Sequence, residues 1–295
     1  MRRSFPEVRA RSFRALPGGW DFLTFEVDRK WVFRFPAHQR PEEQIRREFG
    51  ILPLLGRRLG VPIPEYRFRS EPTRSFPHRF GGYPRLPGIR VDRAHLTGPG
   101  LARVGEELGR AVARLHALPA RAVTRAGIPF RSIDDCRLTF LRWGSRIRTR
   151  VGPLLDGTSR RRLDALLERL RRRELYSFRP VVTHNDLLPV HVLVDPKRAQ
   201  ITGLLDWGDV EFGDPAFDFG VMGWMSYLGP AMLRAYGGPP DPHFLERADA
   251  YRRLVASHTI VRARKFGDPE LQRIGLRLLA GALATDPVPE LAERP

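Results

Sequence analysis

Hydrophobic and polar residues alternate along the segment 181–218 as three short apolar runs with polar loops between them. Short apolar runs rich in β-branched residues are typical of buried strands. The three runs are VVT at 181–183, HVLVD at 191–195 and ITGLLDW at 201–207. The pattern predicts a strand, a loop with Pro189 and then a hairpin, so that Asp186 and Asp206 come to the ends of neighbouring strands.

Strand-like runs also fill the N-terminal region, where 11–35 is predicted to form three short strands. A turn that contains Gly18 and Gly19 joins the first two, and the last two flank a hairpin turn at 28–30. Glycines in a turn between strands let backbone N–H groups approach phosphates closely. We therefore expect Gly18 and Gly19 to lie in a loop that covers a nucleotide, with a plain turn as the alternative.

Apolar residues at helical spacing dominate the rest of the chain. The range 41–59 is predicted to form a helix with Pro41 in its first turn and a kink or break near Pro53. Further helices are predicted for 100–118, 138–147, 159–175, 230–236, 243–257 and 269–283. A strand-rich start followed by mostly helical sequence predicts an α+β protein.

The acidic and histidine side chains of the segment 181–218 match the needs of phosphoryl transfer. This reaction requires a carboxylate that orients the attacking hydroxyl and further ligands that hold magnesium on the phosphates. Protein kinases provide them in an H-x-D-x-x-x-x-N loop and a D-F-G after the next hairpin. Here His184-Asn185-Asp186 is followed by His191 at the Asn position and then by Asp206-Trp207-Gly208. A hairpin with solvated acids is the simpler alternative, but the joined pattern rarely arises by chance.

The sequences HNDLLPVHVLVDP and ITGLLDWGDVEFGDPAFDF resemble the aminoglycoside phosphotransferases and the related macrolide phosphotransferases. The resemblance is strongest over 181–219 and extends more loosely back to Arg11. It implies a two-lobed protein-kinase-like fold with a small β-rich N-terminal lobe, 1–86, and a larger, mostly helical C-terminal lobe, 87–295. It also implies a small-molecule kinase that transfers the γ-phosphoryl group of a nucleoside triphosphate to a hydroxyl of an antibiotic.

The resemblance assigns phosphate binding to two residues of the N-terminal lobe. Arg34 takes the place of the kinase strand lysine on the α- and β-phosphates, and arginine is an able phosphate ligand. Glu48 in the following helix is expected to pair with Arg34 and to direct it toward the phosphates. The alternatives are an exposed strand arginine and a solvated helix glutamate.

The stretch 80–90, FGGYPRLPGIR, resembles the hinge between the lobes of the family, where the base of the nucleotide binds. Matching by the glycines gives the carbonyl of Pro84 and the N–H of Leu86 to the base, since Pro84 has no N–H of its own. Tyr83 then lies at the back of the base pocket. Bulk at that position accompanies GTP use in related enzymes, so ATP and GTP are both candidate donors and GTP is favoured.

Asp186 is the expected catalytic residue, because its carboxylate accepts or orients the proton of the acceptor hydroxyl. Asp206 is the expected Mg²⁺ ligand, and His191 is the candidate second ligand. Mg²⁺ prefers oxygen ligands, so His191 acts either as an indifferent direct ligand or through water. The macrolide kinases and some aminoglycoside kinases also carry histidine at this position.

The formal net charge of the chain is +18, yet 184–218 holds seven acids against two cations. An acidic catalytic segment in a basic protein favours a metal and a cationic acceptor. A basic chain is also compatible with nucleic-acid binding, so a basic binding protein with an inactive kinase-like loop is the rival class. The basic helix 159–175 lacks interleaved aromatic residues, which makes nucleic acid the less favoured partner.

The composition excludes several classes of protein. A hydrophobic content of 42% is ordinary for a globular chain, and no apolar run approaches the roughly 20 residues that span a membrane. The N-terminal sequence lacks the apolar core of a signal peptide. Cys136 is the single cysteine and has no partner for an internal disulfide. These features predict a cytoplasmic protein without a membrane partner, and a monomer is expected.

The identity of the acceptor stays open at this stage. An aminoglycoside is a polycation that suits the local acids, whereas a macrolide needs a more apolar pocket. A sugar or amino alcohol is a third candidate, because one fold hosts many substrates. Candidate acceptor contacts in the C-terminal region are Asp241, Glu246, Asp249 and Trp224. Structural roles are expected for His116, Asp214 and Asp218.

Overall fold

The N-terminal lobe is built on a five-stranded antiparallel sheet. The structure is a computed structural model that describes residues 5–16, 21–74, 76–222 and 228–285. The strands of the sheet are β1 Phe13–Ala15, β2 Phe22–Val27, β3 Trp31–Pro36, β4 Phe68–Arg69 and β5 Gly81–Pro84. They lie in the order β1-β2-β3-β5-β4, which confirms the predicted β-rich lobe.

The alternation along β3 decides which side chains face the cleft between the lobes. Successive side chains of a strand point to opposite faces. Val32 and Arg34 are buried on one face, and Val32 joins the core shared with the C-terminal lobe. Phe33 and Phe35 lie on the other face, where Phe33 joins a smaller aromatic core and Phe35 packs against it. Arg34 is thereby directed toward the second lobe.

The hairpin between β2 and β3 closes through two residues of positive φ, Asp28 at 51° and Arg29 at 54°. Two such residues give a turn whose twist matches that of the flanking strands. The Asp28 carboxylate also accepts hydrogen bonds from the backbone N–H groups of Arg11 and Ser12, at 2.9 and 2.7 Å. The turn thus sets the register in which Thr24 lies opposite Arg34.

One helix of the N-terminal lobe packs against the sheet and reaches the second lobe. This helix, α1, spans Gln39–Leu55, so it is not broken at Pro53, and it ends at Leu55 rather than at the predicted residue 59. Pro53 lies in the last turn and removes one hydrogen bond from the helix, while Leu52 and Leu55 are buried in the core. Burial of this apolar face outweighs the lost hydrogen bond.

The C-terminal lobe is mostly helical and carries two small sheets. Its helices are α2 Gly98–His116, α3 Ala120–Arg125, α4 Ile133–Arg150, α5 Gly157–Arg169, α6 Ala216–Met222, α7 Leu228–Tyr236, α8 Phe244–Leu254, α9 Ala256–Phe266 and α10 Pro269–Ala284. Its strands are β6 Ile89–Arg90, β7 Val181–Thr183, β8 Val192–Asp195, β9 Gln200–Leu204 and β10 Glu211–Gly213. Within the described residues, no helix combines the length and the apolar character that crossing a bilayer requires.

Several predicted element boundaries are wrong. The helix predicted at 138–147 begins at Ile133, because Ser132 and Asp135 form a capping box. The helix predicted at 159–175 is α5, which is capped by Asp156 and ends at Arg169. The helix predicted at 243–257 ends at Leu254, and α9 follows directly as an unpredicted element.

The three apolar runs of 181–218 form strands but do not share one sheet. β7 pairs with β10, while β8 pairs with β9 and β6. The expectation that Asp186 and Asp206 end neighbouring strands is therefore wrong, because β7 finds its partner further along the chain. Contacts between loops bring the two carboxylates together instead.

Candidate active site

The loop that carries Asp186 is anchored by a carboxylate on α6. Asp218 is fully buried and accepts hydrogen bonds from the backbone N–H groups of His184 and Asn185, at 2.9 and 3.0 Å. His116 Nε2 lies 3.2 Å from the same carboxylate. Asn185 has a positive φ of 63°, a conformation that these bonds hold in place. Asp218 and His116 thus have the structural role predicted for them.

His184 connects this loop to the end of β9. Burial lowers its pKa, so the ring is neutral near pH 7. Nε2 lies 3.0 Å from the Leu205 carbonyl and therefore donates, while Nδ1 accepts from the Asp186 N–H at 3.3 Å. The ring also packs on Trp207, with centroids 4.5 Å apart. His184 therefore holds the segments of Asp186 and Asp206 together, although their strands lie in different sheets.

Asp186, His191 and Asp206 form a cluster whose potential ligand atoms all lie within 4.8 Å of one another. His191 Nδ1 is 2.8 Å from the Asp186 carbonyl oxygen, which can only accept, so this nitrogen carries the proton. Nε2 then keeps its lone pair in the neutral ring, and it lies 3.6 Å from Asp206 Oδ2. Two carboxylates and one imidazole are a donor set that fits a divalent cation, although imidazole is a poor partner for Mg²⁺.

The two carboxylates of the cluster differ in proton affinity. Burial raises the pKa of Asp186 to about 6, against the opposing attraction of His191. Burial also acts to raise the pKa of Asp206, but the attraction of Arg34 and His191 outweighs it and lowers that pKa to about 2. Environments that push the pKa values of two nearby acids apart are typical of acid–base sites. Asp186 suits proton transfer, and Asp206 suits a permanent negative charge.

Arg34 connects Glu48 with Asp206 across the two lobes. Its Nη1 is 2.5 Å from Glu48 Oε1 and its Nη2 is 2.9 Å from Asp206 Oδ1. Glu48 is fully buried, and its carboxylate also accepts from the Tyr66 hydroxyl at 2.5 Å and from the Trp207 N–H at 3.0 Å. The guanidinium group is held by one carboxylate from each lobe, so its direction is set before a ligand arrives.

The expected base-binding residues lie where the chain passes between the lobes. Tyr83 on β5 is 6% exposed, and its ring meets that of Tyr66 edge to face, with centroids 5.2 Å apart. Pro84 ends β5, and Leu86 packs against Gly203 of β9 from the other lobe. Gly18 and Gly19 fall outside the described residues.

The acids proposed as acceptor contacts are engaged in ion pairs. Asp241 binds Arg247 at 2.8 Å, and Glu246 lies 3.0 and 2.7 Å from Arg169 and Arg172. Asp249 pairs with Arg252 and Arg253 at 2.7 and 2.6 Å. The charge of each of these three carboxylates is thus already balanced by at least one arginine. Trp224 falls outside the described residues.

Two contacts of the site carry no signal in the sequence. Tyr66 follows a proline-rich connection and was not predicted to bind Glu48. Gln44 on α1 donates from Nε2 to Asp209 at 3.0 Å, next to the cluster. Both contacts join residues from different elements of the chain, so no local sequence pattern predicts them.

Cys136 lies on α4, with its Sγ 3.9 Å from the carbonyl oxygen of Phe212. Burial raises the pKa of its thiol to about 12. Because the thiolate is the nucleophile, we expect native protein to resist iodoacetamide at pH 8. Intact-mass spectrometry will measure the modification, with protein unfolded in urea as the positive control. If native protein were alkylated as fast as unfolded protein, the thiol would not be protected by burial, and this expectation would be wrong.

Residues 12–250 match the model of the APH family, described as the phosphotransferase enzyme family. The chain belongs to this family. It is therefore a phosphotransferase, and the predicted kinase-like fold and enzyme class are confirmed.

Known relatives extend the comparison. Viomycin phosphotransferase from Streptomyces vinaceus is 29% identical over 197 residues, which span 65% of this chain and 66% of that protein. The GDP complex of wild-type aminoglycoside 2'-phosphotransferase-IIIa superposes with a TM-score of 0.84 at 23% identity, over 96% of both chains. The macrolide 2'-phosphotransferase from Brachybacterium faecium gives a TM-score of 0.68 at 25% identity, over 91% of this chain and 92% of that one.

Proposed function

We propose that this phosphotransferase transfers the γ-phosphoryl group of a nucleoside triphosphate to a hydroxyl of a basic antibiotic, with an aminoglycoside as the first candidate. The observation that carries the proposal is the cluster of Asp186, His191 and Asp206 beside the Arg34–Glu48 pair. The cluster provides a proton acceptor and a cation site, and Arg34 provides a phosphate ligand. The viomycin and aminoglycoside relatives support an antibiotic as the acceptor.

Asp186 is the proposed proton acceptor. In the transfer, a bond forms between the acceptor oxygen and the γ-phosphorus while the bond from phosphorus to the bridging oxygen breaks. The hydroxyl proton passes to the Asp186 carboxylate, and the nucleoside diphosphate leaves. Orientation of the hydroxyl by this carboxylate and by the anchored loop supplies much of the rate, because little covalent work is asked of the protein.

Asp206 and His191 are the proposed ligands of Mg²⁺, with His191 acting through Nε2 or through a water. When bound, the cation neutralises charge on the β- and γ-phosphate oxygens. Asp206 would then be shared between the cation and the guanidinium group of Arg34, which it binds at 2.9 Å.

The donor is proposed to bind between the lobes 1–86 and 87–295. Arg34 would contact the α- and β-phosphates, and Gly18 and Gly19 would cover them. The carbonyl of Pro84 and the N–H of Leu86 would hold the base. Tyr83 behind the base favours GTP over ATP, while solved structures of the same fold include both GDP and ADP complexes. We further propose that the enzyme acts as a cytoplasmic monomer.

The function is tested by turnover of ATP and GTP with Mg²⁺ against aminoglycosides, viomycin, macrolides and amino alcohols. Mass spectrometry will detect the phosphorylated acceptor, and we expect a product with a basic antibiotic. A product with macrolides only would replace the proposed acceptor by the alternative class. Nucleotide binding without any product would favour a metabolite acceptor, and no nucleotide binding would contradict the kinase function.

Replacing Glu48 with Gln tests the phosphate-binding role of Arg34. The change removes a charged partner from a buried pair, and hydrogen bonds to charged groups contribute about 1.5–3 kcal/mol. We expect KM for the nucleotide to rise at least about tenfold, which corresponds to about 1.4 kcal/mol. Glu43→Gln, an exposed change on the same helix, is the matched control. An unchanged KM for the nucleotide in Glu48→Gln would contradict the proposed binding of phosphate by Arg34.

A further inference from the structure

An ion pair joins the two lobes beside the active site. Asp21 directly precedes β2 in the N-terminal lobe, and Arg262 lies on α9 of the C-terminal lobe. Arg262 Nη2 is 3.2 Å from Asp21 Oδ2, and the side chains are 43% and 21% exposed. Exposed ion pairs contribute only about 0–1 kcal/mol to stability. Both side chains are partly exposed, so the pair is accessible to an anion from solvent.

The N-terminal side of this pair borders the phosphate-binding residues. Phe22 follows Asp21 in the chain, and its ring lies 4.0 Å from the guanidinium carbon of Arg34. Arg34 in turn binds Asp206 of the cluster. The carboxylate of Asp21 is thus close to the expected path of the phosphates.

The C-terminal side of the pair, Arg262, is held next to the phosphate-binding residues by its contact with Asp21. Phe22, the residue after Asp21, packs on Arg34, so two adjacent residues of the N-terminal lobe contact the two guanidinium groups. The positive charge of Arg262 also lowers the pKa of Asp186, although burial of Asp186 has the larger and opposite effect.

The charges of the site leave a role for a second cation. Asp186, Asp206 and Asp209 are acidic, and a nucleoside triphosphate adds further negative charge. In phosphoryl transfer, the charge of the transition state is spread over the three equatorial oxygens of the moving group. Arg34 is proposed to contact the α- and β-phosphates, at the other end of the phosphate chain. Arginine suits the remaining position because its planar group donates to two oxygens at once.

We propose that Arg262 binds the transferring phosphoryl group, and that Asp21 holds Arg262 in the cleft until the nucleotide arrives. This inference rests on the proposed kinase function. As the bond from the bridging oxygen to phosphorus breaks and the bond from the acceptor oxygen forms, the guanidinium group donates to the equatorial oxygens. The acceptor proton still passes to Asp186, so Arg262 adds charge stabilisation and no new bond.

The test compares Arg262→Gln, Asp21→Asn and the control Arg264→Gln. Arg264 is exposed on the same helix and donates to the Arg150 carbonyl, so its change leaves turnover as in the wild type. Arginines that stabilise a phosphoryl-transfer transition state are worth about 10³–10⁵ in kcat. Allowing for a partly solvated position, we expect Arg262→Gln to lower kcat at least about a hundredfold, with nucleotide KM changed much less. Asp21→Asn should lower kcat far less than Arg262→Gln.

If the Asp21–Arg262 pair served only to hold the two lobes together, the result would be different. Both partners would then matter equally, so similar losses in Asp21→Asn and Arg262→Gln would overturn the proposal. A kcat within about twofold of wild type in Arg262→Gln would also overturn it. Absence of nucleotide turnover in the wild type would instead contradict the kinase function, and this inference with it.

A second variant keeps the test valid if Arg262→Gln unfolds. Circular dichroism and thermal unfolding will show whether each variant is folded. Arg262→Lys keeps the charge and lacks the two-pronged donor group. We expect its kcat to fall at least about tenfold, and a kcat equal to wild type in this variant would overturn the proposal.

Discussion

Replacing Asp186 with Asn will lower kcat by about 10²–10⁴, the range that a positioned general base contributes. Asparagine fills the same space but cannot accept the hydroxyl proton. The backbone of the loop does not depend on the side chain of residue 186, because Asp218 binds the N–H groups of residues 184 and 185. The geometry of the loop is therefore expected to survive the change. Steady-state kinetics with the best acceptor and donor will measure the loss.

The nucleotide affinity of Asp186→Asn separates chemistry from binding. Arg34 and Glu48 are untouched, so nucleotide binding by calorimetry should stay within a few fold of the wild type. Asp134→Asn, an exposed change near the start of α4, is the control and should keep full activity. If Asp186→Asn retained more than about a tenth of the wild-type kcat, a group other than Asp186 would have to accept the proton.

Replacing Arg247 with Met will lower the free energy of unfolding by about 3–5 kcal/mol, the usual cost of breaking a buried ion pair from one side. Arg247 is 1% exposed and lies between two carboxylates, Asp214 at 2.5 Å and Asp241 at 2.8 Å. It also donates to the Leu175 carbonyl at 2.8 Å. Methionine fills the space but leaves Asp214 buried without its countercharge.

The same contacts connect the stability of α8 to the active site. Asp214 accepts from the Ala216 N–H at 2.9 Å and so supports the start of α6, which carries Asp218. Arg247→Met should therefore lower activity as well as the unfolding temperature, by on the order of 10 °C. Thermal and urea unfolding will measure the change.

The control for Arg247 is Arg148→Met. Arg148 forms an ion pair with Asp164 at 2.9 Å, but both side chains are nearly half exposed. An exposed pair contributes about 0–1 kcal/mol, so a small effect is expected. Equal destabilisation by the two variants would show that burial of the Arg247 network does not govern its contribution.

The sequence alone determined the class of the protein and predicted the central residues of its candidate site. The motif with Asp186, His191 and Asp206 was recognisable because its residues lie within one short segment. Strands and amphipathic helices were predictable for a related reason, since their hydrophobic periods are local. The α+β order and the β-rich first lobe followed from these patterns.

Only the tertiary structure decided how distant parts of the chain meet. β7 pairs with β10 rather than with the hairpin of β8 and β9, so His184 and Asp218 connect the two carboxylate-bearing loops. The acids of α8 turned out to be neutralised by arginines, and α9 brought Arg262 to Asp21. Pairing over long separations depends on the packing of whole elements. The spacing of residues within one element therefore does not predict which distant elements pair.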